Sequence, residues 1–433
     1  MKYTRYTRPF AAAAVVVAAA LAFSGCASAA PAAPTPTGPV DITFSSWLRG
    51  SQQVVDAFNA SQKDVIVHFE SVASGVDNYP QLAKQAEAHT LPDVVTTEYS
   101  RVADLASQGV LADLSKIAGD FVKKSYPESI QSLVTFGGKT WSVPLDAGTV
   151  QLYYRDDLFK QYGVKVPTTW DEYYTAAKAI KAADPNARIG STVLSDMGLL
   201  AALAWQNGAQ WAKAGDKAWD IHIDDDATLA WAKSYQKLLD EDLVWKDEAQ
   251  ALQQKQASGQ LLSVISGSWY GAGLSQTFAD QAGKWRVAKL PAPASGPSTG
   301  MLGGSSFGIS KDSKKADAAL KFIKWMTTTP EGIKARINGG ISTVFPVNET
   351  ARAAAVAAFD PKFFGGQDIY KVAAEGLANI PKWTWSPATA TTMSALNDAS
   401  AAVKAGTAPL ASMFALAQKA TVDALKNRNI AVN

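Results

Sequence analysis

Trp141-Ser142-Val143-Pro144-Leu145-Asp146-Ala147-Gly148 leads into Gln151-Leu152-Tyr153-Tyr154-Arg155-Asp156-Asp157-Leu158-Phe159, and then into Val166-Pro167-Thr168-Thr169-Trp170-Asp171-Glu172. Gln151 to Tyr154 reads as a strand. Thr169 to Glu172 has the form of a capping box, in which a threonine and a glutamate three residues on satisfy the free amides of a helix start. The spacing predicts a helix from there through Ile180, stopped before Pro185.

The same alternation extends outward from this block. Upstream, Asp41 to Trp47 alternates as a strand, Val54, Val55, Ala57 and Phe58 recur at helical spacing, and Val65 to Phe69 is a second strand. Asp93 to Thr96 reads as a buried strand, followed by a helix carrying Val102, Leu105, Ala106 and Val110, with Gly109 near its end. Downstream, Leu229 to Leu239 is amphipathic, and Leu261 to Ile265 is a short strand that delivers Gly267-Ser268-Trp269-Tyr270 to its end. Ser306 to Ser310 is a strand leading into a helix with a stripe of Ala316, Ala319, Leu320, Ile323 and Met326. Thr329-Pro330-Glu331 starts the next helix, and the Ala-rich tail after Thr391 reads as helical packing. Strands alternating with helices predict an α/β fold with a parallel, doubly wound sheet. Ligands of such sheets sit beyond the carboxyl ends of the strands, where Trp47 and Glu98-Tyr99 fall.

Composition narrows the function. A chain of 433 residues is too long for one ordinary domain, and two are expected. A formal charge of +2 offers no basic field for nucleic acid. His68, His89 and His222 have no ligand-like spacing, so neither a metal site nor a cofactor is expected. Thirteen Trp and thirteen Tyr stand out, because large amphipathic rings are costly to leave idle on a surface.

The amino terminus has the layout of a secretory signal: Lys2, Arg5 and Arg8, then an apolar run from Phe10 to Phe23 that is shorter than the ~20 residues a spanning helix needs. Phe23-Ser24-Gly25-Cys26 resembles the lipobox of bacterial lipoproteins, with Phe23 where leucine is usual. That resemblance implies cleavage after residue 25 and lipidation of Cys26, the only cysteine; a soluble secreted protein with an incidental cysteine is the alternative. Residues 27–39, with Pro31, Pro34, Pro36 and Pro39, read as an extended tether.

Taken in order, Leu91-Pro92-Asp93-Val94-Val95, the run from Leu105 through Gly109-Val110-Leu111-Ala112-Asp113-Leu114, the opening block, Gly267-Ser268-Trp269 and Gly303-Gly304-Ser305 with the helix after it resemble the extracellular solute-binding proteins of ABC importers, especially their sugar-binding branch. The resemblance spans residues 40–433. It implies a two-lobed fold of the periplasmic-binding-protein type II, with a ligand cleft between lobes joined by crossing hinge segments near 148–151, 296–302 and 344–347. The expected division is a signal peptide over 1–25, the lipidated cysteine and tether over 26–39, one lobe from 40–148 plus 300–345, and the other from 149–299 plus 346–433. The implied function is a lipid-anchored, monomeric receptor on the extracytoplasmic face of a bacterial membrane. It would capture a carbohydrate and pass it unchanged to an ABC transporter permease. A secreted glycoside hydrolase, which needs two carboxyls flanking the scissile bond, is the rival reading; a receptor for a non-sugar solute is a lesser one.

A sugar receptor needs aromatic platforms and polar acceptors in a mostly preformed cleft. By resemblance, Trp269 stacks on a pyranose, with Tyr270 beside it. Asp146 accepts hydroxyl hydrogen bonds, and Asp196 supplies a second-lobe carboxylate. Some maltose-type relatives carry an acidic residue where Gly148 stands, so ligand identity does not carry over. Trp47, Glu98 and Tyr99 lie at strand ends, with Tyr99 alternatively opening the following helix. Gly304 and Ser305 could bring backbone amides close to a ligand or form a plain turn. Of Trp383 and Trp385, one is expected as a platform and the other in the core; Trp170, Trp231 and Trp325 are expected in the core.

Three motifs compete with these readings. Gly304-Ser305-Ser306-Phe307-Gly308 fits the nucleophile pattern G-x-S-x-G, yet the chain continues as strand and no histidine follows His222. Asp224-Asp225-Asp226 lacks the glycine and glutamate of a calcium loop and reads as a helix cap. Tyr153-Tyr154 is similar to the tyrosine pairs of ferric-ion receptors, but strand alternation sends the rings to opposite faces.

Overall fold

Two sheets, joined by side-by-side chain segments, organise the computed structural model, which describes residues 38–296 and 298–433. The leader, Cys26 and most of the tether fall outside the described residues. In β1 (Val40–Ser46), Ile42 and Phe44 are fully buried, as alternation predicts. Helix α1 (Ser51–Ser61) buries Val54, Val55 and Phe58. Strand β2 (Val65–Ser71) pairs parallel with β1, α2 (Gly75–Glu87) follows, and β3 (Val94–Glu98) lies parallel on the other side of β1. Helix α3 (Tyr99–Ser107) ends before Gly109, whose φ of 73° is the left-handed stop that glycine adopts readily. A short β4 (Val143–Pro144) closes this part of the chain.

The chain then crosses into the second lobe. Strand β5 (Val150–Arg155) is followed by α4 (Trp170–Ala183), α5 (Met197–Gln206), α6 (Asp226–Asp240), β6 (Ser263–Gly267), α7 (Tyr270–Thr277) and β7 (Trp285–Lys289). It returns as β8 (Ser305–Ile309), α8 (Ala316–Thr328) and α9 (Pro330–Ile337), then continues through α10 (Glu349–Ala358), α11 (Thr389–Lys404) and α12 (Ala411–Asn427). The first sheet has the order β2-β1-β3-β8-β4, with β8 antiparallel to both neighbours. The second has the order β6-β5-β7 and is antiparallel throughout, contrary to the parallel sheet expected there. Apolar alternation encodes which face of a strand is buried; it does not encode strand direction.

The capping signals are met with one shift. Thr169 accepts from the Glu172 amide, but the Glu172 carboxylate accepts from Thr168 N and Oγ1, one residue before the cap. Asp225 caps α6 by accepting from Thr228 N, and Pro330 stands at the first turn of α9. Trp231 is buried, whereas Trp170 and Trp325 are half-buried against the core.

Two of the expected crossings, near 148–151 and 296–302, lie side by side, and the third expected segment, 344–347, pairs with the first of them while joining α9 to α10. Ala147 N donates to Phe345 O and Val347 N to Leu145 O; Leu302 N donates to Gly148 O and Val150 N to Gly300 O. A side chain at Gly148 would start 2.0 Å from the Leu302 carbonyl oxygen, so only glycine lets these segments touch. Helix α10 packs on α8 and α9, beside the first sheet, although the expected division assigned it to the other lobe. Helix α11 touches both α3 and α5, and α12 packs on α11 and α6.

Candidate functional site

One cavity of about 460 Å³ gathers residues from the ends of β1, β3 and β6, the start of α5, the end of α9, the crossing segments, and α11 with the loop before it. Trp47, Glu98, Asp146, Asp196, Trp269, Gly304, Ser305 and Trp385 all line it. They come from positions up to 338 residues apart in sequence, 47 to 385. Only three of the thirteen tryptophans are among its walls; the abundance of indoles mainly serves the cores.

Trp269 owes its position to Gly267, Gly303 and one hydrogen bond. Its Nε1 donates to Leu302 O at 2.9 Å, and the ring lies so close over Gly267 that a side chain there would start 2.4 Å from Nε1. With 44 % of its surface exposed, it is an open apolar platform. Across the wall, Trp47 meets Tyr79 edge to face, with ring centroids 5.8 Å apart. Trp385 is the third indole, buried except where it meets the cavity.

The acidic groups sit in distinct settings. Asp146 is buried, its Oδ1 accepting from Ser305 N at 2.7 Å. Burial pushes its carboxyl up to about 7, against the opposing pull of the Ser305 amide and the Arg336 guanidinium. Glu98 is half-buried in the cleft wall; loss of water raises its carboxyl, Arg101 and the Tyr79 hydroxyl oppose that, and Asp196 adds to it. Tyr79 OH donates to Glu98 Oε2 at 3.4 Å and accepts from Glu98 N at 3.0 Å. Gly75 leaves room for this carboxylate, since a side chain there would start 3.1 Å from Oε2. Asp196 caps α5 through Leu199 N, and burial raises it as well. Both carboxylates meet the cavity, and the loss of water there shifts each of them upward from the ordinary carboxylate value.

Three expected residues stand elsewhere, each for a packing reason. Tyr99 is buried behind the wall and donates from its hydroxyl to the Asp146 carbonyl oxygen at 2.8 Å. Gly304, with φ 93°, lies on the Tyr99 ring: a side chain would start 2.8 Å from it. Tyr270 turns away to pack on Tyr153 and bond Gln256. Trp383 is a core residue stacked on Trp205 at 4.8 Å, leaving Trp385 as the member of the pair at the cavity. Ser305 contributes its amide to Asp146 and so supports the wall from behind.

Sequence reading missed Tyr79, Arg101 and Arg336, which also line the cavity. Arg101 lies over the Tyr79 ring at 4.7 Å, with Nη2 2.8 Å from the Asp104 carboxylate. Arg101 follows Glu98 by three residues, one helical turn, a spacing that could have flagged it. Ser306, centre of the G-x-S-x-G match, is buried within β8 with its hydroxyl bonded to Ser142 and Thr97, so it forms no exposed elbow. Tyr153 is buried and Tyr154 half-buried, on opposite faces of β5.

The family profile described as bacterial extracellular solute-binding protein matches residues 44–333. A lactose-binding protein of Rhizobium radiobacter is 29 % identical over 310 residues, covering 67 % of this chain and 69 % of its own. A maltooligosaccharide ABC transporter solute-binding lipoprotein of Streptococcus pneumoniae is 27 % identical over 266 residues, covering 58 % and 59 %. The galacto-N-biose-/lacto-N-biose I-binding protein of a Bifidobacterium longum ABC transporter, solved with lacto-N-biose, superposes with a TM-score of 0.81 at 25 % identity over 92 % of this chain and 100 % of that one.

Proposed function

Because this chain belongs to the bacterial extracellular solute-binding proteins, we propose that it is the receptor that captures a carbohydrate, an oligosaccharide or glycoside, in the interlobe cavity and delivers it to an ABC transporter permease. The observation that carries the reading is the meeting of an open Trp269 face with Trp47, Trp385 and three carboxylates in one cavity. A pyranose presents C–H patches on its faces and hydroxyls on its rim, and these wall groups match both. Flat rings cover the C–H faces, and fixed acceptors orient the hydroxyls. The volume of about 460 Å³ lies in the range of small-molecule sites, about 300–1,000 Å³.

The cavity has formal balance: Arg49, Arg101 and Arg336 stand against Glu98, Asp146 and Asp196. Such a lining suits a neutral ligand. Trp47, Glu98, Asp146, Asp196, Trp269 and Trp385 are the direct ligand contacts in this reading, with Tyr99, Ser305 and Gly304 supporting them. Bound sugar touches both lobes, so it favours the closed arrangement by its extra contacts there. Cys26 carries the lipid that holds the receptor beside its permease, and residues 27–39 supply the reach.

The test is calorimetric titration with lactose, lacto-N-biose, β-1,6-galactobiose and maltotriose, with amino acids and polyols as controls. Saturable binding of at least one saccharide, with a rise in melting temperature, is the expected outcome. Release of new reducing ends during the incubation, lost in Asp146→Ala, would instead establish the hydrolase. Binding confined to the controls would sink the carbohydrate assignment.

A further inference from the structure

Helix α7 carries Trp269 at its head and begins without the usual device for starting a helix. The first amides of any helix lack an intrahelical acceptor, and a serine, threonine, asparagine or aspartate at the cap position normally supplies one from its side chain. Here the cap position is Trp269 itself, which makes no such bond, its indole being bonded to Leu302 O instead. The preceding residue does not substitute for it, because Ser268 turns its hydroxyl to Ala147 O at 2.7 Å.

The cap comes from the other lobe. Thr343, in the stretch between α9 and α10, accepts the Ala272 amide on Oγ1 at 3.0 Å. Ala272 is the third residue of α7, a position whose amide a cap side chain ordinarily takes. The same hydroxyl has Trp269 O as an acceptor at 3.1 Å and Ser268 O at 3.3 Å. Thr343 is only 5 % exposed, so these bonds lie out of water. Ser342 and Val344 on either side of it line the cavity, whereas Thr343 is not part of the wall and bonds the backbone behind the platform. Further along the helix, Gln276 Nε2 donates to Gly340 O at 3.1 Å and its Oε1 accepts from Arg49 Nη1. Residues 272 and 276 are about one turn apart, so one face of α7 rests on the first lobe.

We propose that Thr343 is a positioning residue for the Trp269 platform: it caps α7 from the first lobe and fixes the backbone from which the indole projects, without touching the ligand. The inference rests on the carbohydrate reading of the cavity. A ring that stacks on a sugar binds best when it is already in place, since ordering it during binding subtracts from affinity. An ordinary cap residue at position 269 would hold the helix but offer no flat face. Thr343 takes over the capping and leaves that position to a tryptophan. Without its hydroxyl the Ala272 amide is buried and unpaired, the first turn of α7 loosens, and the indole loses its fixed approach to Leu302 O.

The experiment is calorimetric titration of wild type, Thr343→Val, Trp269→Ala and the double variant with whichever of lactose, lacto-N-biose, β-1,6-galactobiose or maltotriose binds wild type, each protein first shown to be folded by circular dichroism. Valine keeps the branched shape and removes the hydroxyl. Thr343→Val is expected to raise Kd about threefold or more where Trp269 is present, in keeping with one lost hydrogen bond, and less than about twofold where it is absent. Thr343→Ser retains the hydroxyl and binds within about twofold of wild type. A smaller loss with Trp269 present, a loss of twofold or more without it, or a serine variant as weak as the valine one makes Thr343 a residue of fold stability alone. Any of these overturns the inference and leaves the carbohydrate reading intact. If no saccharide binds wild type, the carbohydrate reading falls and the inference falls with it. Should Thr343→Val fail to fold, Thr343→Ala, alone and with Trp269→Ala, carries the same comparison.

Discussion

Replacing Trp269 with alanine removes the platform and leaves most of the fold's packing in place, because 44 % of this residue is already in solvent. A tryptophan side chain offers roughly 150–250 Å² of contact area, so the open part is about 70–110 Å². Covering that area with the apolar face of a sugar is worth about 2–3 kcal/mol at ~25 cal/mol per Å². At 1.4 kcal/mol per decade, Trp269→Ala is expected to raise Kd about 20- to 100-fold. Trp269→Phe, which keeps a smaller platform but loses the bond to Leu302 O, falls between the two. Titration calorimetry with the sugar that binds wild type measures the ratio, and circular dichroism with thermal melting establishes that the variant is folded. A folded Trp269→Ala protein that binds the sugar as tightly as wild type would refute the platform role and the area argument with it.

Three further outcomes follow from other parts of the molecule. The folded Asp146 carboxyl, at about 7, holds its proton more tightly than the unfolded one near 3.8, so its share of stability is full below about pH 4 and is lost as pH rises to about 7. Asp146→Asn has no such loss, and its stability relative to wild type should climb by up to about 4 kcal/mol across that window in urea unfolding; a difference that stays constant from pH 4 to pH 8 contradicts the burial argument. Gly148→Ala forces a methyl group against the Leu302 carbonyl oxygen and should cost about 1–3 kcal/mol, read as a lowered melting temperature together with weakened sugar binding. Asp225→Ala deletes the α6 cap and should cost about 1 kcal/mol while leaving sugar affinity unchanged, since Asp225 is not part of the cavity wall; a change in affinity would show the second lobe to be less rigid than its packing implies.

Much of the fold was legible because the signals involved are local. A strand such as Val40–Ser46 announces itself by alternation, and a helix such as Pro330–Ile337 by a threonine before a proline. Strand direction was not legible in the second lobe, because Gln151 to Tyr154 buries the same side chains whether β6 and β7 run with it or against it. The position of α10 was missed for a related reason: an Ala-rich helix has an apolar face, but that face does not name the lobe that covers it.

The cavity shows where sequence reading stops more sharply. Trp269 and Asp146 could be singled out because each ends a recognisable stretch, a strand followed by glycine and serine in one case and the approach to a crossing in the other. Arg336 lies in the last turn of its helix, between alanine and isoleucine, in a run that reads as ordinary packing, and nothing near it in sequence marks it. Its position depends on Gly50 and Ser51, nearly three hundred residues away, and its incomplete hydrogen bonding exists only once these distant segments of the first lobe are packed together. Tyr99 errs in the opposite direction. An aromatic residue just past a strand end is well placed for a ligand, but the positive φ of Gly304 lets the neighbouring strand settle on its ring and takes it out of the wall. A strand end therefore locates the neighbourhood of a site, whereas the packing of distant backbone decides which of its side chains face inward.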